Sequence, residues 1–274
     1  MAQNRRLEPD GDLGGGEQAQ EIPIPLANVV TGELAQSIGG GGDMRNPNEL
    51  FLYEEIMLLA LRDEKGTVAP GTMYTYALGG AILADLLLHN RIRLAETRGK
   101  KYVEPLSSLP FGDPLIDECL ARIESAKRRA TIQTWVTRFA GIRRLGHRAA
   151  EQLCRRGILR AEEGSILFIF SRTTYPQRDP RPERALIERM REAIATDTRD
   201  VDPRTAVIIS LAKSAGLLRL VFDKDLLKKR KARIDKLAKG EVIGNAAKEA
   251  IEAAQMAMVA ATVVPAIAAT TVNH

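Results

Sequence analysis

The stretch LFLYEEIMLLALRDEKG, residues 50–66, and the run YALGGAILADLLLHNRIRL that follows at residues 76–94 decide how this chain folds. Leu50, Tyr53, Ile56, Met57 and Leu59 recur at spacings that lay one apolar face along a helix, and Lys65-Gly66 closes it. The second run predicts a helix over residues 74–88 with Gly79-Gly80-Ala81 inside it. A helical glycine costs about 1 kcal/mol relative to alanine, so close approach of another helix is the expected reason for it.

Working outward, residues 91–94 and 102–104 alternate as short strands do. At Gly112-Asp113-Pro114 the signals for a helix start coincide, because Asp113 can cap free amides and Pro114 suits the first helical position. Asp117 and Glu118 follow at once, where carboxylates favour a helix start, and they lack the partnered cleft that acid/base catalysis needs. Trp135 shares an apolar helical face with Ile132 and Phe139, which predicts a core position. Helix then continues through residues 149–154 and stops at Gly157. Ile158-Leu159, a polar turn over residues 160–165 and the run Ile166, Leu167, Phe168, Ile169 and Phe170 read as a β-hairpin. On such a strand Ile166, Phe168 and Phe170 share one face, and five consecutive large apolar residues are too many for a solvent-facing strand. The hairpin is therefore either covered on both faces within the domain or completed by a second copy. Prolines 176, 180 and 182 mark a linker before a helix over residues 183–194. Asp202-Pro203 restarts a helix through residue 220, and residues 228–239 form a basic amphipathic stretch whose charges read as a solvated face.

The chain has 274 residues, 45% hydrophobic and only 4% aromatic, so its core is built from Leu, Ile, Ala and Val, as closely packed helices prefer. The expected fold is mainly α, a single compact helical domain over residues 47–262 with a small β-hairpin and short strands. Two Gly runs predict a disordered arm over residues 1–46, and residues 263–274 a frayed tail. No apolar signal core opens the sequence, which predicts a cytoplasmic protein. Residues 253–272 carry no charge but are mostly Ala and Thr around Pro265, a composition for a core-facing terminal helix rather than a membrane span.

Chemistry is sparse. Cys119 and Cys154 lie in helical patterns without a CxxC spacing and read as reduced, buried thiols; His89, His147 and His274 are scattered, so no metal site or cofactor is expected. Phosphate-cradling and hydrolase motifs are absent, so no catalytic residues are assigned and an enzyme is not expected. Charge is more informative. The net charge is +5, and residues 127–160 hold ten basic residues against one acid, Glu151. Arg143, Arg144 and Arg148 are the candidate anion-binding residues. They suit an anionic membrane surface, or alternatively a nucleic acid met by a helix-plus-wing module formed with the hairpin.

The order of Glu54-Glu55, Met57-Leu58-Leu59, Asp63 to Gly66, Leu78-Gly79-Gly80-Ala81 and Arg91-Ile92 resembles the opening of the Golgi phosphoprotein 3 family. GDPLIDECL at residues 112–120, RGIL at 156–159 and TTYP at 173–176 keep the order, so the resemblance covers roughly residues 48–262. It implies a peripheral membrane adaptor that binds phosphatidylinositol 4-phosphate or another anionic phospholipid, on the cytosolic face of the Golgi if the source is eukaryotic; bacteria also carry such relatives. Its protein cargo is not implied. In the family the headgroup is held by a tryptophan and an arginine early in the domain and by two arginines three apart. Residue by residue, only Arg143 keeps its arginine; the partner falls on Gly146, the early arginine on Gly79, and the tryptophan near Pro70 or Gly71. The resemblance also implies that a hairpin over residues 162–174 mediates homo-oligomerisation.

Overall fold

The computed structural model describes residues 49–62, 66–166, 170–198, 200–241, 250–252 and 255. In chain order these form α1 (Leu52–Ala60), β1 (Leu61–Arg62), β2 (Thr67–Val68), α2 (Tyr74–Leu88), β3 (Ile92–Thr97), β4 (Lys100–Pro105), α3 (Pro114–Glu124), β5 (Ala130–Thr131), α4 (Ile132–Ala140), α5 (Leu145–Arg155), β6 (Glu162–Ile166), β7 (Phe170–Thr174), α6 (Arg181–Ala195), α7 (Pro203–Ser214), α8 (Leu218–Val221), α9 (Lys224–Lys229) and α10 (Lys231–Ala238). The fold is mainly α, as the sequence predicts, with antiparallel pairs β1–β2 and β6–β7 and the meander β3–β4–β5. The expected arm at residues 1–46 and tail at 263–274 lie outside the described residues, as does most of the expected terminal helix.

Every residue of α1 is buried, including Glu54 and Glu55. The helix lies against α2, α5, α6 and α7, so it has no face left for solvent. Its carboxylates therefore need partners from the surrounding elements, because an unpaired buried charge costs several kcal/mol. Arg156, just past α5, places Nε 2.8 Å from Glu54, and Arg189 of α6 places Nη2 2.8 Å from Glu55. Burial pushes the Glu55 carboxyl above its ordinary value against the pull of Arg189 and Arg204. On α2, the fully buried Asp85 accepts from the Leu52 amide at 2.8 Å and meets Nη1 of Arg204, on α7, at 3.3 Å. Arg204 also donates to the Leu50 carbonyl at 2.6 Å, which fixes the entry to α1.

Local signals hold where the partner is near in sequence. Asp113 caps α3 through the amides of Leu115 and Ile116, both at 2.9 Å, and its other oxygen accepts from the Tyr53 hydroxyl at 2.7 Å. Gly79 sits where α2 crosses α4: a side chain there would place Cβ 2.9 Å from the Val136 carbonyl oxygen, so the expected close approach is present. Trp135 is buried in the core, as expected.

Three expectations change. The helix begun at Pro203 stops at Ser214 because Gly216 adopts a left-handed conformation, φ 74°, and closes the end by donation from Leu217 to the Ala212 carbonyl at 2.8 Å and from Gly216 to Lys213 at 3.2 Å. The basic stretch divides at Arg230 into α9 and α10. The hairpin is displaced: residues 162–165, read as part of a polar turn, join Ile166 in strand β6, and Ile166 pairs with Phe170 across to β7. Leu159 bridges to Gln177 below the hairpin, and in that register Ile166 and Phe170 fall on opposite strands. The range implied by the resemblance, residues 162–174, coincides with β6 and β7; Leu167, Phe168 and Ile169, and the side chains of Ile166 and Phe170, lie outside the described residues.

Two substitutions test this packing. Gly79→Ala is expected to lower stability by about 1–3 kcal/mol through overpacking against α4, although alanine is the better helix former; the urea midpoint measures it. Arg204→Ala removes the guanidinium facing Asp85 and is expected to cost about 3–5 kcal/mol, since breaking a buried pair leaves its charge poorly compensated. Arg181→Ala, at an exposed pair with Asp179, should leave the same denaturation curve nearly unchanged.

Candidate functional site

Helix α4 ends at Ala140 and α5 begins at Leu145, and the corner between them carries Arg143 and Arg144. Arg144 adopts the left-handed conformation, φ 57°, which turns the chain sharply into α5. The start of α5 has no side-chain cap; the Leu145 amide donates to the Ile142 carbonyl at 3.1 Å, which leaves the next amides of the first turn to an acceptor. Both arginines are exposed, and among the described residues neither pairs with a carboxylate.

A cavity of about 440 Å³ opens at this corner. Met57 and Leu61 at the end of α1, Val68 of β2 and Ile142 form its apolar wall. Arg144, Tyr74, Thr75, His147, Thr173 and Tyr175 contribute its polar lining. The Tyr175 hydroxyl hydrogen-bonds Nδ1 of His147, and the two rings meet edge to face with centroids 5.4 Å apart. Burial pushes the Tyr175 phenol up to about 12 and raises that of Tyr74. Both hydroxyls stay neutral at physiological pH and can donate or accept. Glu151, one turn beyond His147 and outside this lining, adds to the rise at Tyr175.

Tyr74 occupies space that a side chain at residue 146 would need. A Cβ on Gly146 would lie 2.8 Å from Cε2 of Tyr74 and 2.9 Å from its hydroxyl oxygen. Gly79 faces α4 and leaves no room for a long side chain. The positions where the resemblance calls for two further arginines are therefore closed by an aromatic ring and by helix packing.

Of the three candidate arginines, the corner brings Arg143 and Arg144 together, and Arg148 is drawn elsewhere. Its Nη2 lies 2.5 Å from Glu118 of α3, which also binds Arg122 at 2.7 Å. The hydrogen bond from Arg148, opposed by some burial and aided by Arg122, holds the Glu118 carboxyl below its ordinary value. Arg148 thus ties α5 to α3. The helix-plus-wing arrangement loses one of its three phosphate contacts. Elsewhere the positive charge is partly structural: Arg230 donates to the Ile194 and Thr196 carbonyls at 2.7 and 2.8 Å, and Arg233 to Ala193 and Thr198 at 3.1 and 2.6 Å, closing the end of α6. Sequence spacing missed Tyr74, His147 and Tyr175 as lining residues, because they come from three separate segments; the TTYP motif was their one visible trace.

Cys119 is buried and Cys154 half-buried, both free, with thiols pushed up by burial. Among the described residues no group of His, Cys, Asp and Glu could hold a metal, and no helix is long and apolar enough to cross a membrane.

The family model for Golgi phosphoprotein 3 (GPP34) matches residues 52–254. The chain is 28% identical over 149 residues to a vacuolar protein sorting-associated protein 74 of Eremothecium gossypii, covering 47% of this chain and 44% of that protein. It is 24% identical over 181 residues to the protein of the same name in Schizosaccharomyces pombe, covering 59% and 53%. The chain spans about half the length of the curated relatives it matches.

The Arg148–Glu118 tie makes a pH-dependent prediction. A depressed carboxyl contributes stability that is present above its unfolded pKa, about 4.3 for glutamate, and lost as pH falls through the lower folded value. Arg148→Met is therefore expected to melt below the parent at neutral pH, with the gap closing in acid. Thermal melts across pH measure it, and a gap that persists unchanged in acid would show that the pair is not its source.

Proposed function

The chain belongs to the Golgi phosphoprotein 3 (GPP34) family, and from that membership we propose a non-enzymatic adaptor that docks on the cytosolic face of a membrane by holding anionic phospholipid headgroups. The observation that carries this reading is the cavity beside Arg144 at the uncapped start of α5. A guanidinium and a helix N-terminus together form a site for phosphate. Arg143, exposed beside the cavity and without a carboxylate partner among the described residues, adds attraction to the negative surface. The relatives named for vacuolar protein sorting support a role in carrying or sorting protein cargo at the Golgi or an equivalent membrane. The β6–β7 hairpin is assigned to self-association, which would multiply weak contacts of each copy with one membrane.

Each basic residue near an anionic bilayer contributes on the order of 1 kcal/mol. Reversing two of them, Arg143→Glu with Arg144→Glu, is expected to lower apparent affinity for phosphatidylcholine vesicles doped with an anionic phospholipid by more than about tenfold. Arg148→Met is expected to keep binding. Flotation across a salt series reads both, and vesicle binding by the double variant equal to the parent would overturn the assignment.

A further inference from the structure

Resting on the reading of this cavity as a headgroup site, we infer that it selects a monoanionic phosphodiester bearing neutral hydroxyl groups, and disfavours a phosphomonoester. Arg144 is the one permanent cation in the described lining, with no lining carboxylate beside it among the described residues. A phosphodiester carries a single negative charge, which one guanidinium matches. A phosphomonoester carries about −1.5 to −2 at neutral pH, so one guanidinium leaves part of that charge unmatched. The lining glycine beside Arg144 leaves no room for a further cation, because a side chain on Gly146 would meet the Tyr74 ring.

What the lining offers instead is hydroxyl chemistry. Thr67, Thr75 and Thr173 stand around the opening with Tyr74 and Tyr175. Hydroxyls donate and accept, so they suit the alcohols of a polyol such as inositol or glycerol and exchange hydrogen bonds without transferring charge. The Tyr175–His147 hydrogen bond orients one of these phenols. Met57, Leu61 and Val68 offer the opposite wall to the carbon framework of such a ring or chain. The 440 Å³ volume falls in the range that small-molecule sites occupy. A lipid headgroup and a water-soluble glycerophosphodiester share this chemistry.

The test uses the full chain and phosphatidylcholine vesicles doped, at matched surface charge, with phosphatidylinositol, phosphatidylglycerol, phosphatidylserine or phosphatidylinositol 4-phosphate. Tighter binding to the first two is expected, since phosphatidylserine keeps the charge without the alcohols and phosphatidylinositol 4-phosphate adds the monoester. Tyr74→Phe and Thr173→Val should each erode the preference by up to about tenfold, the scale of one lost hydrogen bond. Arg144→Gln should abolish it; should that variant fail to fold, Arg144→Lys retains the charge without the fork and is expected to weaken every anionic lipid. Glycerophosphoinositol, titrated alone and as a competitor, separates the soluble source from the lipid one. Equal binding to all anionic vesicles, or preference for phosphatidylinositol 4-phosphate at matched charge, overturns the selectivity and leaves the membrane role standing. Selective binding of glycerophosphoinositol without binding to any vesicle keeps the ligand class and overturns the membrane role. Binding to neither vesicles nor glycerophosphoinositol overturns both.

Discussion

Two adjacent glutamates in a helix with no exposed face set the terms for everything packed around it. Glu54 and Glu55 can be buried in α1 only if cations arrive: Arg156 at the end of α5 pairs with Glu54, Arg189 in the middle of α6 pairs with Glu55, and the charge of Arg204 at the start of α7 also pulls on Glu55. Asp85 extends the same demand to α2. Such ion pairs commonly add no more to stability than an apolar replacement of the same volume, but each has a required partner and geometry. Apolar surfaces slide; a carboxylate facing a guanidinium at 2.8 Å does not. The network thereby fixes which elements surround α1.

The position of the cavity follows from that arrangement. Arg156 pins the C-terminal end of α5 to Glu54, and eleven helical residues, about 16 Å of rise, carry its other end to the end of α1 where Met57 and Leu61 lie. The Arg143–Arg144 corner meets the cavity there, and Arg148 holds α5 to α3 from the side. A structural arginine and a cavity-lining one can thus be separated by a single helical turn. The same logic explains why a basic segment read as one patch resolves into distinct roles: Arg144 borders a cavity, Arg148 joins two helices, and Arg138 lies over the Trp135 ring, 4.7 Å from its centroid.

Where a residue and its partner lie within a few positions, the sequence told the outcome. Asp113 before Pro114, the stop at Gly157 and the apolar runs of α1 and α2 are of this kind, and the order of family motifs fixed the domain as a whole. The break at Gly216 was also local, but the apolar pattern on both sides of it argued for continuity and hid it. The hairpin's range was legible in the family resemblance, which gave residues 162–174, but not in the apolar pattern, since the strand limits depend on where Leu159 and Gln177 meet below it. The cavity was the least legible. Its lining comes from the β1–β2 pair, the start of α2, the corner before α5 and the strand leading to Tyr175, and no periodicity within one segment reports such a convergence. Likewise nothing around residue 148 announces that Glu118, thirty residues earlier, will take its charge.

The central place of α1 bears on how the chain is made. It is the first helix of the domain to leave the ribosome, yet Glu55 finds Arg189 only 134 residues later and Asp85 finds Arg204 119 residues later. At synthesis rates of about 5–20 residues per second, α1 waits on the order of ten seconds before its counter-ions exist. During that interval α2 can already cover part of α1, but its two acids lack their counter-ions and keep the waiting segment hydrated. Charges that burden the finished core serve the nascent chain as solubilisers, and the long separation between partners makes completion of the domain a late, concerted event.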